Sequence, residues 1–566
     1  MRLRRRPSAA LIIAAVWSVY GVASLHRHGL TSDEPALFHA GDRTLFWLTH
    51  PRTPDALAFD GPEPAGFSTP FRRFPDHNDP MHYPVLTGVL AAFTSAIFHR
   101  GLGWMDAIDG HHLALVLLQA LGLYLHCRLA SRLFGRVAGI AGTIALALYP
   151  SAVGHAFNNP KDWPCALFGG LAALAAGIGF VENRGKPLLA AGALLGVALS
   201  CKLNAVITLA AIAAAAPVAY LLLYHRRKRP SGDLLAGALA MPYIAGGLFF
   251  ICWPWLYQGK GKGIATYWQR LNEYISFMLN FGTGDRAWWT AYPLKAILFM
   301  TPPVVLLAAV AGVALAWRRG REHVAVVALL LLALFIPVLR IAAPRSNFYD
   351  ANRHFIDYVV PLCTLAGVGV GHAADWLRRQ LQAAPQALAQ RVRWLLGATA
   401  AVAIGVLAWP VLEYRPHEAA YFNQLVGGLG GAQRVALFMQ PQPYGDRTNG
   451  TEGDYWWASM REAVETARAV APDAPMAVCG GAWDLLPATA QAARWTGTDD
   501  PAAVVYVCPR EAPRFCPFAT VRDLESRRPI LHRVERGGGL VWELLGPMTG
   551  ARFASRTPEN VYTRAR

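Results

Sequence analysis

Charge is scarce in this chain. Only 16% of its 566 residues are Asp, Glu, Lys or Arg, where soluble domains carry about 25%. That deficit excludes an ordinary soluble enzyme of this length. Paired cysteines are missing as well: the eight cysteines include no CxxC pair, so a structural zinc site is excluded. The first apolar run, residues 9–25, lacks an A-x-A-like cleavage site and therefore reads as a retained span, not a removed signal peptide. No internal repeat is evident, which argues against an inverted-repeat transporter. Long basic blocks are also absent. The formal net charge of +17 is divided among short clusters between apolar runs, and it needs no nucleic acid to explain it.

What is present is apolar. Hydrophobic residues make up 54% of the chain, with 18 Trp and a mean hydropathy of +0.27. Runs near the length needed to cross a bilayer recur at 9–25, 112–132, 137–152, 163–180, 187–200, 205–223, 234–256, 293–317, 323–339, 354–376 and 394–410. The basic clusters are Arg2 to Arg6, His225-Arg226-Arg227-Lys228-Arg229, Arg318-Arg319-Gly320-Arg321 and Arg378-Arg379. With about eleven spans they all fall on one side, which the positive-inside rule makes cytoplasmic. The expected fold is thus a polytopic α-helical membrane protein over residues 1–410, with its N-terminus in the cytoplasm. A small extracytoplasmic α/β domain is expected over 411–566, from strand-like runs at 476–479, 503–508 and 540–545 and a helix-like run at 458–470. Residues 26–110 form the first outer loop, with a re-entrant or interfacial helix at 85–98. Whether Cys508 and Cys516 form a disulfide depends on the compartment.

Given that topology, the unusual polar residues gather on the outer face. The carboxylates are Asp33, Glu34, Asp79 and Asp162. The cations are Lys161, Lys202, Arg345 and Arg353, with His82, His155 and His354 nearby. Each has a bland reading: Asp33 as the cap of a helix starting at Pro35, Lys202 snorkelling from a span end, Arg353 as a boundary residue. Together they suit a lipid-linked sugar phosphate. Fixed cations stabilise the charge that grows on a departing lipid phosphate, and a carboxylate takes the proton of the attacking hydroxyl. On this reading Asp33 is the base, Glu34 supports it, and Lys202, Arg353 and Lys161 hold the phosphate.

These motifs resemble the membrane-embedded C-type glycosyltransferases (GT-C fold), in the branch of protein O-mannosyltransferases and bacterial aminoarabinose transferases (family 39-like). Asp33-Glu34 resembles the acidic motif of the family's first outer loop, whose Asp is its proposed base. Asp79-Pro80-Met81-His82-Tyr83-Pro84 is similar to the His-x-Pro-type motif before a juxtamembrane helix. Asn159-Pro160-Lys161-Asp162-Trp163-Pro164 resembles the loop with an Asp before an apolar span. Residues 196–204 resemble the Gly-Leu-Ala-x-x-x-Lys segment, and residues 353–361 the Arg-Tyr-x-x-x-x-x-Pro segment near the donor phosphate. Here Leu203 follows the Lys where relatives have Gly, and His354 replaces the Tyr. Tyr421 to Gly428 and Asp454-Tyr455-Trp456-Trp457 resemble motifs of bacterial members, and as structure they would pack the outer domain onto the membrane face.

The resemblance implies an inverting transferase acting on a polyprenyl-phosphate sugar donor, with a protein, lipid or glycan hydroxyl as acceptor, in a bacterial plasma membrane. Some relatives use a divalent metal and others use none; for such a metal Asp33, Glu34, Asp162 and His155 are the available ligands. The alternatives are a transporter or flippase of a lipid-linked saccharide, and a non-catalytic scaffold binding cell-wall glycan.

Overall fold

The computed structural model describes residues 8–50, 63–71, 83–225, 229–256, 264–281, 287–346, 350–382, 384–435, 437–438, 452–454, 456–479, 496–508 and 518–548. Eight helices there are long and apolar enough to cross a membrane: Ala9–Arg27, Ala107–Phe134, Asp162–Glu182, Leu203–Tyr224, Gly232–Ile251, Arg321–Ala342, Arg353–Gln382 and Gln386–Tyr414. Two further apolar helix pairs are bent at a short break, Arg136–Ala147 with Pro150–Asn158 at 63° and Tyr292–Met300 with Pro303–Arg319 at 109°. Both breaks fall at prolines, Pro150 and Pro302, whose rings lack the N–H that a continuing helix needs. The shorter apolar helix Lys186–Leu199 accounts for the remaining run expected from sequence.

Two bounds differ from expectation. The second long helix begins at Ala107 because the Asp106 carboxylate accepts the Asp109 N–H at 2.8 Å and caps it. The last one runs through Pro410 to Tyr414, so the outer unit starts later than 411.

The first outer loop is helical where it meets the bundle. Helix Glu34–Thr49 lies against helix Leu86–Ser95, which is short, as expected of a juxtamembrane element. A Cβ on Gly41 would stand 2.2 Å from the Gly88 backbone, so the two helices touch main chain to main chain. Deeper in the bundle His126 lies fully buried among three helices. One ring nitrogen meets the Thr143 hydroxyl at 2.8 Å and the other the Thr364 hydroxyl at 2.9 Å.

The C-terminal unit is a four-stranded sheet of β1 (Met476–Cys479), β2 (Val504–Val507), β3 (Ile530–Arg536) and β4 (Gly539–Leu545), in the order β1-β2-β4-β3. The β1–β2 pair is parallel and the others antiparallel. Helix Met460–Val470 turns Met460, Ala463, Val464 and Ala467 inward. This unit sits on the outer loops through ion pairs. Arg461 reaches Asp106 at 2.6 Å and Asp109 at 2.7 Å; within the unit His417 Nε2 lies 2.9 Å from Glu462 Oε2. The Cys508 thiol donates to the Asp454 carbonyl at 3.2 Å and is not in a disulfide. Cys479 is the disulfide-bonded cysteine of this region, and Cys516 lies outside the described residues.

Candidate active site

Asp33 occupies the N-cap position of helix Glu34–Thr49, yet its carboxylate makes no capping bond. Oδ2 instead takes Lys161 Nζ at 2.7 Å and Arg353 Nη1 at 3.0 Å. The helix start is satisfied by Glu34, whose Oε2 accepts the Thr31 N–H at 2.7 Å and the Thr31 hydroxyl at 3.2 Å. Its Oε1 lies 2.9 Å from His112 Nε2 on the long helix Ala107–Phe134. The neighbouring acids therefore diverge. Asp33 joins the cations, while Glu34, fully buried, points into the bundle. Glu34, expected from sequence to support the base, does not itself join the cations: successive residues of a helix start point about 100° apart, and His112 holds the second one inside.

Lys161 and Asp162 come from the turn before helix Asp162–Glu182. Asn159 shapes it, its side-chain oxygen accepting the N–H groups of Lys161 at 3.3 Å and Asp162 at 2.8 Å. Such an Asx turn starts a helix while Pro160 bars an earlier start. The Asp162 carboxylate then stands at the positive end of a 21-residue helix. Lys202 lies in an extended break (φ −159, ψ 139) between helix Lys186–Leu199 and the short turn Leu203–Ala205. Its ammonium crosses to the Asp162 carboxylate. Arg353 follows two consecutive left-handed residues, Asp350 (φ 57) and Ala351 (φ 52). Non-glycine residues rarely adopt that conformation without tertiary enforcement. It brings the Asp350 carboxylate to 2.9 Å from Arg353 Nη2, while Arg353 Nε lies 4.0 Å from Asp162 Oδ2.

Five residues from four segments thus meet in one chain of ion pairs: Lys202, Asp162, Arg353, Asp33 and Lys161. Aromatic rings flank it. Lys161 Nζ is 4.6 Å from the centre of the Tyr83 ring, and the Arg353 guanidinium lies 4.2 Å over that of Trp456. Side-chain exposure separates the members. Asp162 is 3% exposed, Arg353 5%, Lys202 7% and Lys161 10%, but Asp33 is 30% exposed. Asp33 is the carboxylate of the group that faces outward.

Burial raises the Asp33 pKa, but the Lys161 ammonium and then the Arg353 guanidinium outweigh it and hold the carboxyl below its ordinary value. Burial likewise lowers the Lys161 ammonium, and Asp33 more than restores it. At Lys202 burial wins: its pKa lies below the ordinary lysine value even with Asp162 attached. That cation is under-compensated and has most to gain from an arriving anion. Burial pushes the Glu34 carboxyl well above its ordinary value, against the bonds it accepts from Thr31.

The remaining sequence candidates divide. His354 adjoins the group, with Nε2 3.5 Å from Arg353 Nη2. His155 is fully buried, bonded to Asn159 at 3.1 Å, with its ring against Trp456. Asp79 and His82 lie outside the described residues. Sequence reasoning missed Asp350, Tyr83 as a cation partner, and Trp456. A divalent metal does not fit the donors brought together. Among the described residues no three His, Cys, Asp or Glu side chains form a ligand group. Asp33 and Asp162 are already engaged by three cations that would repel a dication.

No curated protein sequence matches the chain. Among solved structures it is similar to ArnT from Cupriavidus metallidurans bound to undecaprenyl phosphate, at 16% identity and a TM-score of 0.45, covering 96% of this chain and 98% of that one. It is also similar to the archaeal oligosaccharyltransferase AglB from Archaeoglobus fulgidus in complex with an inhibitory peptide and a dolichol-phosphate, at 13% identity and a TM-score of 0.40, covering 84% of this chain and 62% of that one. The chain is a multi-pass membrane protein whose residues 82–257, the segment that contributes Lys161, Asp162 and Lys202 to the cluster, match the family described as dolichyl-phosphate-mannose-protein mannosyltransferase.

Proposed function

We propose that the chain transfers a sugar, with inversion, from a polyprenyl-phosphate donor to a hydroxyl acceptor at the outer lip of a bacterial plasma membrane. The observation that carries the reading is the partition of exposure: three buried cations behind one outward carboxylate. An arriving phosphate diester supplies the anion those cations lack and draws Lys161 and Arg353 away from Asp33. Released from its ion pairs, Asp33 becomes more basic just as substrate binds. It takes the acceptor hydroxyl's proton while that oxygen attacks the anomeric carbon. The bond from that carbon to the phosphate oxygen breaks, and Lys202, Arg353 and Lys161 stabilise the charge left on the lipid phosphate. A phosphate leaves without a general acid, so one carboxylate suffices.

The family match over residues 82–257 supports a lipid-phosphate sugar donor. The disulfide at Cys479 supports an oxidising compartment for the C-terminal unit, and therefore an outer-face site. The test supplies purified protein in proteoliposomes with radiolabelled polyprenyl-phosphate pentoses and hexoses and an acceptor extract. Transfer by the wild type, abolished in Asp33→Asn, is expected. Translocation of the labelled lipid without product would overturn the reading in favour of a flippase.

A further inference from the structure

Trp456 belongs to the C-terminal unit, yet its ring lies on the guanidinium of Arg353 and edge-on to His155. The turn that carries it is built around one carboxylate. Asp454 Oδ1 accepts the N–H groups of Trp456 at 3.2 Å and Ala458 at 3.1 Å. Its Oδ2 accepts the Ser459 N–H at 2.7 Å and the Ser459 hydroxyl at 2.5 Å. The turn forces Trp457 into a left-handed conformation, φ 60, a cost that bonding to Asp454 sustains. It then approaches the first outer loop closely. A Cβ on Gly29 would stand 2.3 Å from the Ala458 carbonyl, and the Trp456 carbonyl accepts the Ser32 N–H at 3.1 Å. One residue therefore touches both sides of the ion-pair chain, the guanidinium by its ring and the Asp33 loop by its main chain.

We propose that Trp456 is a positioning residue for the donor phosphate, so that the C-terminal unit completes the transfer site instead of merely packing on it. The inference rests on the phosphate-binding reading above and deepens it. Arg353 meets Asp33 and Asp350 at the edges of its guanidinium, and those edges are where a phosphate is bound two-pronged. A ring over the face stays clear of those edges and keeps water from the cation. Both partners are only 5% exposed, the setting in which a cation–π contact is strongest. The carbonyl bond to Ser32 holds the Asp33 loop in register with the same guanidinium.

The test compares Trp456→Met, which keeps apolar volume but no ring, with Trp456→Phe, which keeps a ring. Binding of undecaprenyl phosphate to the detergent-purified full chain is measured beside transfer and melting temperature. Expected is binding about tenfold weaker in Trp456→Met, with a rise in the acid limb of the pH–rate profile as Arg353 loses its hold on Asp33. Trp456→Phe restores both most of the way, with little difference in melting temperature among the folded proteins. Where Trp456→Met does not accumulate folded, Trp456→Leu takes its place with the same order expected. Equal binding in the ringless variant, an unmoved pH profile, or a Phe variant as impaired as the Met one would overturn the assignment. A wild type that binds no lipid phosphate would overturn the phosphate reading itself. Binding without transfer would overturn only the transferase reading, and the ordering of the variants would still decide the role of Trp456.

Discussion

Asp33→Asn separates two effects that a simple loss of function would merge. As the base, Asp33 contributes to the rate, and its removal lowers turnover by about 10²- to 10⁴-fold. As an anion bound to Lys161 at 2.7 Å and Arg353 at 3.0 Å, it also competes with the donor phosphate. Each contact is worth about 5 kcal/mol gross at an effective dielectric near 20. Most of that is offset by desolvation, and water reaches a carboxylate that is 30% exposed. A net competition of about 1–2 kcal/mol corresponds to a donor Kd about five- to thirtyfold tighter in the variant. The asparagine is isosteric, so the fold is retained. The measurements are single-turnover transfer of a radiolabelled polyprenyl-phosphate sugar and equilibrium binding of undecaprenyl phosphate, on one preparation. The expected pattern is opposite signs, rate down and affinity up. Retained turnover would remove Asp33 as base. Affinity that fell along with the rate would show that Asp33 organises the cations and does not compete for them.

Three further expectations follow from the same geometry. Glu34→Gln should keep transfer within about threefold, since an amide can accept from Thr31 and donate to His112 in the same places; Glu34→Leu, which strands those partners, should lose about 2–4 kcal/mol of stability in thermal unfolding. Lys202→Met leaves the Asp162 carboxylate buried beside Arg353 alone and should cost about 3–5 kcal/mol; adding Asp162→Asn should restore most of the stability but none of the transfer, and a double variant as unstable as the single would refute the pairing argument. Burial raises Glu462, but bonds from His417 and Trp542 and the nearby Arg536 hold it down to about 2 from the ordinary 4.5. A depressed carboxyl stabilises above its unfolded pKa, so melting temperature should fall as pH drops from about 4.5 towards 2, and Glu462→Gln should flatten that slope.

The cations were legible in the sequence because charge is conspicuous in apolar surroundings. Lys202 interrupts a run of small residues, and Lys161-Asp162 heads an apolar segment. Their convergence was legible only through the parity of the spans. The divergence of Asp33 and Glu34 was not, because it is set by His112, 78 positions beyond Glu34. A histidine pair, His111-His112, inside a membrane helix with Asp109 nearby was an available sign that some acid lay opposite. Trp456 stood out only within the Asp454-Tyr455-Trp456-Trp457 motif, read as packing, since nothing local says that its ring meets a guanidinium about a hundred residues earlier. In the outer unit, β3 went unread because its sequence, Ile-Leu-His-Arg-Val-Glu-Arg, is mostly polar. Gly537 (φ 50) and Gly538 (φ 71) mark the tight turn that pairs it with β4, and glycines between such runs are a hairpin signal.

The His126 contact differs in kind from the ion pairs above it. Thr143 already donates its hydroxyl proton to the Gly139 carbonyl at 2.7 Å, and Thr364 donates its own to the Val360 carbonyl at 2.8 Å. A neutral imidazole offers one N–H and one lone pair, so one of the two threonines must turn from its carbonyl to the ring. Either can, which gives the latch two equivalent proton arrangements. Each hydroxyl also has a resting place on its own helix if the ring withdraws. Parting the helices therefore strands the imidazole alone and neither hydroxyl, a smaller penalty than parting the interlocked charges at the outer lip.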